Sequence, residues 1–352
     1  MKRVVIFSGG TGSIALQTGI HAIYGESVKV DIIISAYDNG KSTGECRKVF
    51  GGKILGPSDL RKNQLTQYRL QYHTDSPSCP KDKALLYELF EERFTQPSWE
   101  SAYQYVRKRV EKTFEQIANV QEVDRVDDRR KDILLDLVDF FFYSPYAGVQ
   151  KRTRRTIPTT NFTNFSISNL FYAAAAALNE NSLGLAGELM ADILQISNNV
   201  HVVSDVNLYL YAETQNRNII SDEGEIVSWN HAEDPIVDVS LIDEYGRKYV
   251  PSVDENSMAT IKVRDIISEA DIIIYSSGTQ WSSLIPTYMH NGLREILKQS
   301  RAKKYLVMNN RPDKDMIGLG ASDLLQIIDR YLDLEDTTIV MNKNAQDRKS
   351  TR

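Results

Sequence analysis

The sequence predicts an α/β protein: a Rossmann-like parallel-sheet core with a helical insertion and a small β-hairpin region. Three observations carry this. The chain opens with an apolar run, a glycine turn, an amphipathic helix pattern and a second apolar run. The same alternation returns in the last third. Between them lies a charged, aromatic-rich stretch that reads as helices and shows no convincing strand pattern. Alternating strand and helix patterns imply parallel strands joined by right-handed crossovers.

Taken in order, "RVVIFSGG" is a buried strand running into a glycine turn, because a continuous β-branched and aromatic run suits a strand covered on both faces. "SIALQTGIHAIYG" sets Ile14, Leu16, Ile20 and Ile23 at roughly helical spacing and stops at Gly25. "VKVDIIIS" is the second buried strand. Then "DKALLYELFEERF", "WESAYQYVRKRVEKTFEQIA" and "RRKDILLDLVDFFFY" read as amphipathic helices. A loop with two prolines and the basic run "QKRTRRT" at 150–156 ends this stretch. "NFTNFSISNLFYAAAAALNE" starts polar and becomes an alanine-rich helix, with Ser168 or Asn169 near its start. "LAGELMADILQIS" is another amphipathic helix.

The runs "NVHVVSD", "NLYLYAET", "NIISD", "EIVSW" and "IVDVSLID" are short strands whose polar and glycine-bearing breaks suggest hairpins. "IKVRDIISEA" is a helix, "DIIIYSSGT" a strand with a polar tip, and "LIPTYMHNGLREILKQS" helical. "KKYLVMNN" and "TTIVMN" are strands, separated by the helix "SDLLQIIDRYL" with Ser322 as its expected cap. The organisation is therefore a core over 1–74 and 156–340, a helical insertion or cap over 75–155, and a disordered tail over 341–352. The insertion would serve as a lid, a homodimer surface or a partner site.

Composition narrows the function classes. A chain of 352 residues with 41% hydrophobic and 25% charged content is ordinary for a globular protein. Its net charge of −5 speaks against a nucleic-acid binder, and the basic run at 150–156 reads as a solvated loop. The two cysteines and five histidines show no zinc-type spacing, and a reducing, cytoplasmic location fits. No apolar run is long enough for a signal peptide or a membrane span, so no membrane partner is expected.

Ligands of an open parallel sheet bind beyond the carboxyl ends of its strands. The conspicuous loops there are "SGGTGS" at 8–13, "AYDNGKSTG" at 36–44, "SSGTQWSS" at 276–283 and "NNRPDKD" at 309–315. The first fits G-x-G-x-x-A: Gly9, Gly10, Thr11 and Gly12 offer backbone amides near a helix N-terminus, a natural phosphate cradle. A plain βα turn using glycine for its dihedrals is the alternative. The second loop contains Gly-Lys-Ser-Thr, the tail of a P-loop. However, Ser35 stands where the first P-loop glycine belongs, and Gly51 and Gly52 cut the following helix short. A nicotinamide-dependent reductase would leave the second and third loops unexplained.

Together these segments resemble the 2-phospho-L-lactate transferase family, including its relatives called gluconeogenesis factors, which bind nucleotide sugars. "GGTGS" matches the family's opening turn. In "DNGKSTG", Asp38, Gly40, Ser42, Thr43 and Gly44 match, while Asn39 replaces an Asp and Lys41 a Gly. "PSDLRKN" keeps Pro57, Asp59 and Arg61, with Lys62 where Asn is expected. "NFSISNL" keeps Asn169 and Leu170 but has Asn164 and Phe165 in place of Gly-His. "VVSDV" keeps Asp205, and "SSGTQWSSLIP" keeps Gly278, Ser283 and Pro286, with Trp281 at a family Tyr. The matches run in order to about residue 330, interrupted by the helical stretch.

The resemblance implies a Rossmann-like fold and a nucleoside-diphosphate-linked donor. An acceptor hydroxyl would attack the diphosphate, assisted by Mg2+, and a nucleoside monophosphate would leave. A non-catalytic nucleotide-sugar-binding regulator is the alternative, favoured by the missing Asp and His. The catalytic and metal carboxylates would be Asp38 and Asp59, unless Asp38 is a turn residue and Asp59 a helix cap. Gly9, Gly10, Thr11, Gly12, Ser42 and Thr43 would hold the diphosphate, and Ser277, Gly278 and Thr279 a second anion or the acceptor. Asn169 would lie near the base or ribose, or cap its helix. Trp281 would stack on ligand or simply pack. Lys41 would compensate charge beside the diphosphate, or face solvent.

Overall fold

The structure is a computed structural model describing residues 1–38, 40–121, 128–143, 160–221, 223–249, 261–290, 292–310, 316–317 and 319–341. The basic run at 150–156, the proposed tail beyond 341 and most of the loop at 309–315 lie outside the described residues.

In chain order the elements begin with β1 (Lys2–Phe7), α1 (Ile14–Tyr24) and β2 (Val28–Ile34). Next come α2 (Lys41–Val49), α3 (Ser58–Tyr72), α4 (Lys81–Glu91), β3 (Arg93–Gln96), α5 (Trp99–Gln121), α6 (Arg129–Tyr143), β4 (Phe162–Ser166), α7 (Ile167–Leu178) and α8 (Leu183–Leu194). There follow β5 (Val200–Val202), β6 (Tyr209–Thr214), β7 (Ile219–Ile220), α9 (Glu223–Ser228), β8 (Ile236–Ile242), α10 (Ile261–Ser268) and β9 (Ile272–Tyr275). A π-helical turn (Gln280–Leu284) leads into α11 (Ile285–Tyr288), then α12 (Leu293–Gln299), β10 (Lys303–Val307), α13 (Ala321–Leu332) and β11 (Thr337–Val340). Among the described residues no helix is long and apolar enough to cross a membrane.

The chain divides into two compact units. The first comprises Met1–Asp38 and Asn199–Arg352, the second Asn39–Asn198.

The first unit is built on a six-stranded sheet in the order β11-β10-β9-β1-β2-β5. All its pairings are parallel. Counting only these strands along the chain, the order is 3-2-1-4-5-6, the doubly wound arrangement. The direction of winding reverses between β1 and β9. β-Branched runs make these strands because both faces are covered: Val4, Ile6 and Ile274 pack with Leu16 and Ile20 of α1. Phe7, Tyr275 and Tyr288 form an aromatic triangle with ring centroids 5.5–5.7 Å apart. Asp31, a carboxylate inside β2, is tolerated because His201 of β5 lies 3.0 Å away and Lys29 pairs with it at 3.1 Å. A separate antiparallel sheet, β7-β6-β8, supplies the small β region.

Several local expectations are revised. "NVHVVSD" yields β5, a parallel edge strand of the main sheet rather than a hairpin arm. "EIVSW" falls in helix α9. Gly320, not Ser322, occupies the N-cap position of α13.

The second unit is mainly helical. The alanine-rich α7 is buried over Ile167–Ala176 because its small side chains let α2, α4, α6 and α8 approach closely. It also contains strands: β3 and β4 form an antiparallel pair, with Phe94 opposite Phe165. The polar start of "NFTNFS" hid a strand whose Phe162 and Phe165 point into an aromatic cluster with Phe94 and Trp99.

Candidate functional site

The loops after β1, β2, β9 and β10 leave the same edge of the first unit's sheet, because these strands are parallel neighbours. The first and third loops meet where the winding reverses. Ser277 donates its hydroxyl to the Gly12 carbonyl at 3.1 Å. A Cβ on Gly12 would run into the carbonyl oxygen of Ser277, so this position requires glycine. A Cβ on Gly9 would sit 2.9 Å from the Ser283 Cβ. Gly9 and Gly10 are buried while Thr11 is exposed at the loop tip.

Beneath the tip, the loop is braced by its own hydroxyls. Ser8 and Ser13 share a 2.6 Å hydrogen bond, and Gln17 donates to Ser13 at 2.8 Å. The third loop is braced from β10: Gly278 donates to Asn309 Oδ1 at 2.8 Å, and Asn309 Nδ2 donates to the Gly278 carbonyl at 2.9 Å. Asn309 thus fixes both backbone polar groups of one residue. Thr279 and Ser283 hydroxyls lie 3.0 Å apart. The segment then enters the π-helical turn, a rare geometry that recurs at functional sites. Trp281 within it is completely buried, so it packs rather than presenting a stacking surface.

The first unit's part of the second loop is Ser35–Asp38. Ala36 has φ 64°, a left-handed conformation that costs an L-residue about 1–2 kcal/mol. Ser35 donates its hydroxyl to the Ser283 carbonyl at 3.2 Å. The Tyr37 hydroxyl lies 2.7 Å from His290 Nε2, and the two rings stack with centroids 5.5 Å apart. Burial pushes the His290 pKa down to about 3, so its imidazole is neutral at physiological pH.

The second unit holds the other predicted residues. Ser42 and Thr43 are in the first turn of α2 and are buried. Asn169, in the first turn of α7, donates from Nδ2 to Ser42 Oγ at 3.0 Å and approaches Thr43 Oγ1 at 3.4 Å. The structure brings these three together. Ser166, not Asn169, is the N-cap residue of α7, which leaves Asn169 free of the cap role. Its Oδ1 is buried with no hydrogen-bond partner among the described residues, an acceptor without a donor. Likewise Pro57, not Asp59, is the N-cap residue of α3. Asp59 lies within the first turn, where the helix dipole favours a carboxylate, and pairs with Lys62 at 3.6 Å. Arg61 is buried and donates to Ser166 at 3.0 Å, with Ser168 at 3.4 Å; burial pulls its pKa below the ordinary value. Lys41 is exposed and has φ 47°.

Asp38 and Asp59 belong to different units. Among the described residues no group of three or more His, Cys, Asp or Glu is placed to hold a metal ion. Magnesium bound with a nucleotide needs only one or two carboxylates, the rest of its shell coming from phosphate and water.

Sequence reasoning passed over Asn309, Tyr37, His290 and the Ser8–Ser13–Gln17 brace. Asn309 sat in a loop already marked as conspicuous. Tyr37, Ser8 and Ser13 likewise sat in marked loops, while Gln17 and His290 carry no motif.

A doubly wound sheet with glycine-bearing loops crossing at its switch point defines a Rossmann-like α/β protein. The chain belongs to the family described as 2-phospho-L-lactate transferase CofD, whose model matches residues 4–352. It is 23% identical over 342 residues to a Thermotoga maritima protein named "Putative gluconeogenesis factor", covering 97% of this chain and 78% of that one. It is 21% identical to an uncharacterized protein of Saccharomyces cerevisiae, covering 93% and 82% of the two chains. A solved structure of a UPF0052 family member from Bacillus halodurans has the same fold, with a TM-score of 0.64 at 19% identity, covering 97% of this chain and 81% of that one.

Proposed function

We propose that the chain is a transferase acting on a nucleoside-diphosphate-linked donor, with the diphosphate held at the loops after β1 and β9. The observation that supports this most is the approach of Gly12 to the Ser277–Gly278 backbone at the switch point. It leaves a glycine-lined surface with the start of α1 behind it, the arrangement that suits an anion.

In the proposed reaction an acceptor hydroxyl attacks the phosphorus distal to the nucleoside. The new P–O bond forms, the bond to the bridging oxygen breaks, and nucleoside monophosphate leaves with that electron pair. The hydroxyl proton passes to a base. Bound magnesium would neutralise the charge developing on the diphosphate. The family resemblance names Asp38 and Asp59 for it; Asp38, in the first unit with the glycine loops, is the one to test. Amides of Gly9–Gly12 hold the diphosphate, and Ser277, Gly278 and Thr279 face a second anion or the acceptor. For Ser42, Thr43 and Asn169 the assignment to the ligand rests on family resemblance together with the donorless Asn169 Oδ1.

The test is release of nucleoside monophosphate from a panel of nucleotide-linked donors with magnesium. Asp38→Asn should lower turnover at least about 100-fold while the fold is retained. Normal turnover by that variant would remove Asp38 from the metal site. A second reading, a non-catalytic nucleotide-sugar-binding regulator, draws support from the Lys62 partner of Asp59 and from the relatives' name. Thermal stabilisation by a nucleotide sugar, with no monophosphate released from any donor, would establish it instead.

A further inference from the structure

The second loop leaves β2 through a bend that the backbone does not favour. Ala36, at φ 64°, has a side chain and gains nothing from the left-handed region. Such a conformation persists only where its surroundings over-determine it. Here both neighbours of Ala36 are tied to one stretch of the third segment. Ser35 is bonded to the Ser283 carbonyl on one side, and Tyr37 to His290 on the other. The Tyr37 and His290 rings also stack, 18° from parallel, and both residues are buried. Tyr249 lies against the imidazole as well, with ring centroids 6.1 Å apart. The neutral ring bonds to the phenol in either tautomer: Nε2 accepts the hydroxyl proton in one and donates to the oxygen in the other.

We propose that Tyr37 and His290 are positioning residues that lock the bend at Ala36 and so fix the direction in which Asp38 leaves the sheet. The idea rests on the reading of Asp38 as a ligand-site residue. The lock itself stands on geometry alone. The same stretch, Gln280–His290, contains the π-helical turn and Ser283, which also packs against Gly9. One short segment therefore holds the first loop and the second at once. An apolar filler of the same shape would preserve the stacking but lose the hydrogen bond. A polar one would preserve the bond without the ring.

Three variants of the full chain test this: Tyr37→Phe, His290→Phe and His290→Gln. Amide hydrogen exchange is read for peptides covering 35–38 and, as internal control, 9–12. Binding of uridine, guanosine and adenosine diphosphates with magnesium is read by calorimetry. Tyr37→Phe and His290→Phe should speed exchange over 35–38 by about tenfold, the loss expected for one buried hydrogen bond, and leave 9–12 unchanged. Affinity for whichever diphosphate the wild type binds should fall by about the same factor. His290→Gln, whose amide can reach the phenol, should recover part of both. Unchanged exchange in both Phe variants would overturn the lock. So would acceleration spread evenly over both peptides, the mark of a generally loosened fold. If the wild type binds none of the diphosphates, the functional reading fails, and the exchange pattern alone still decides the lock.

Discussion

The switch-point loops of the first unit and the polar cluster of the second solve different problems with different materials. At the switch point the work is done by main chain. Gly12 lies on the Ser277 carbonyl, and Asn309 ties down both polar groups of Gly278. Around α2, α3 and α7 the work is done by side chains. Asn169 joins Ser42 and Thr43, Arg61 joins Ser166 and Ser168, and Lys62 pairs with Asp59. A backbone-built surface tolerates no added atom but is indifferent to charge. A side-chain cluster can exchange charge at little cost to the fold. The departures from the family motifs follow this only in part: Lys41 and Lys62 fall in the second unit and "GGTGS" in the first is intact, but Trp281, also in the first, replaces a family Tyr.

The largest effect should come from the backbone side. Gly12→Ala forces a methyl group into the Ser277 carbonyl, and neither loop can retreat without breaking its brace. The expected loss is about 3 kcal/mol or more, the upper range for overpacking, with diphosphate binding abolished. Denaturant titration measures it. A midpoint close to that of the wild type would mean the two backbones do not meet as described.

Next is Arg61, the hub of the side-chain side. Arg61→Ala removes the donor shared by Ser166 and Ser168 and opens a cavity beside α7, for an expected loss of about 2–3 kcal/mol. Arg61→Met, which keeps most of the volume, should lose about half as much, because burial already disfavours the guanidinium. A Met variant more stable than the wild type would show that the charge is kept for a purpose other than holding the helices.

What could be read from the sequence follows the same division. The parallel sheet and its loops were legible because buried strands and glycine turns leave local signatures: "RVVIFSGG" and "DIIIYSSGT" each announce a strand and its ligand-side tip. β4 was not, because Phe162 and Phe165 are separated by polar Thr163 and Asn164, and Asn164 has φ 52°. That break in alternation mimics a loop. The pairs Tyr37–His290 and Gly278–Asn309 join residues far apart in the chain, and no local pattern encodes them. Asp59 and Asn169 were rightly placed near helix starts, but whether they cap depends on which residue precedes the first turn, a matter of backbone geometry.

The smallest effect, and the most discriminating, belongs to Lys41. It is exposed, stands at φ 47° and replaces a residue that is glycine in the family motif. A non-glycine residue there costs about 1–2 kcal/mol of backbone strain. Lys41→Gly should therefore raise stability, by about 1 kcal/mol once the extra entropy of glycine in the unfolded chain is deducted. If the ammonium group only faces water, diphosphate affinity stays unchanged and the lysine is simply tolerated. If the lysine compensates charge at the ligand, affinity falls as stability rises, and the deficit shrinks with added salt as screening replaces the missing cation. We expect the second pattern, because a strained position that makes no use of its side chain has nothing to set against its cost. Equal affinity for both proteins across the salt series would show instead that this loop, like the first, acts through its backbone.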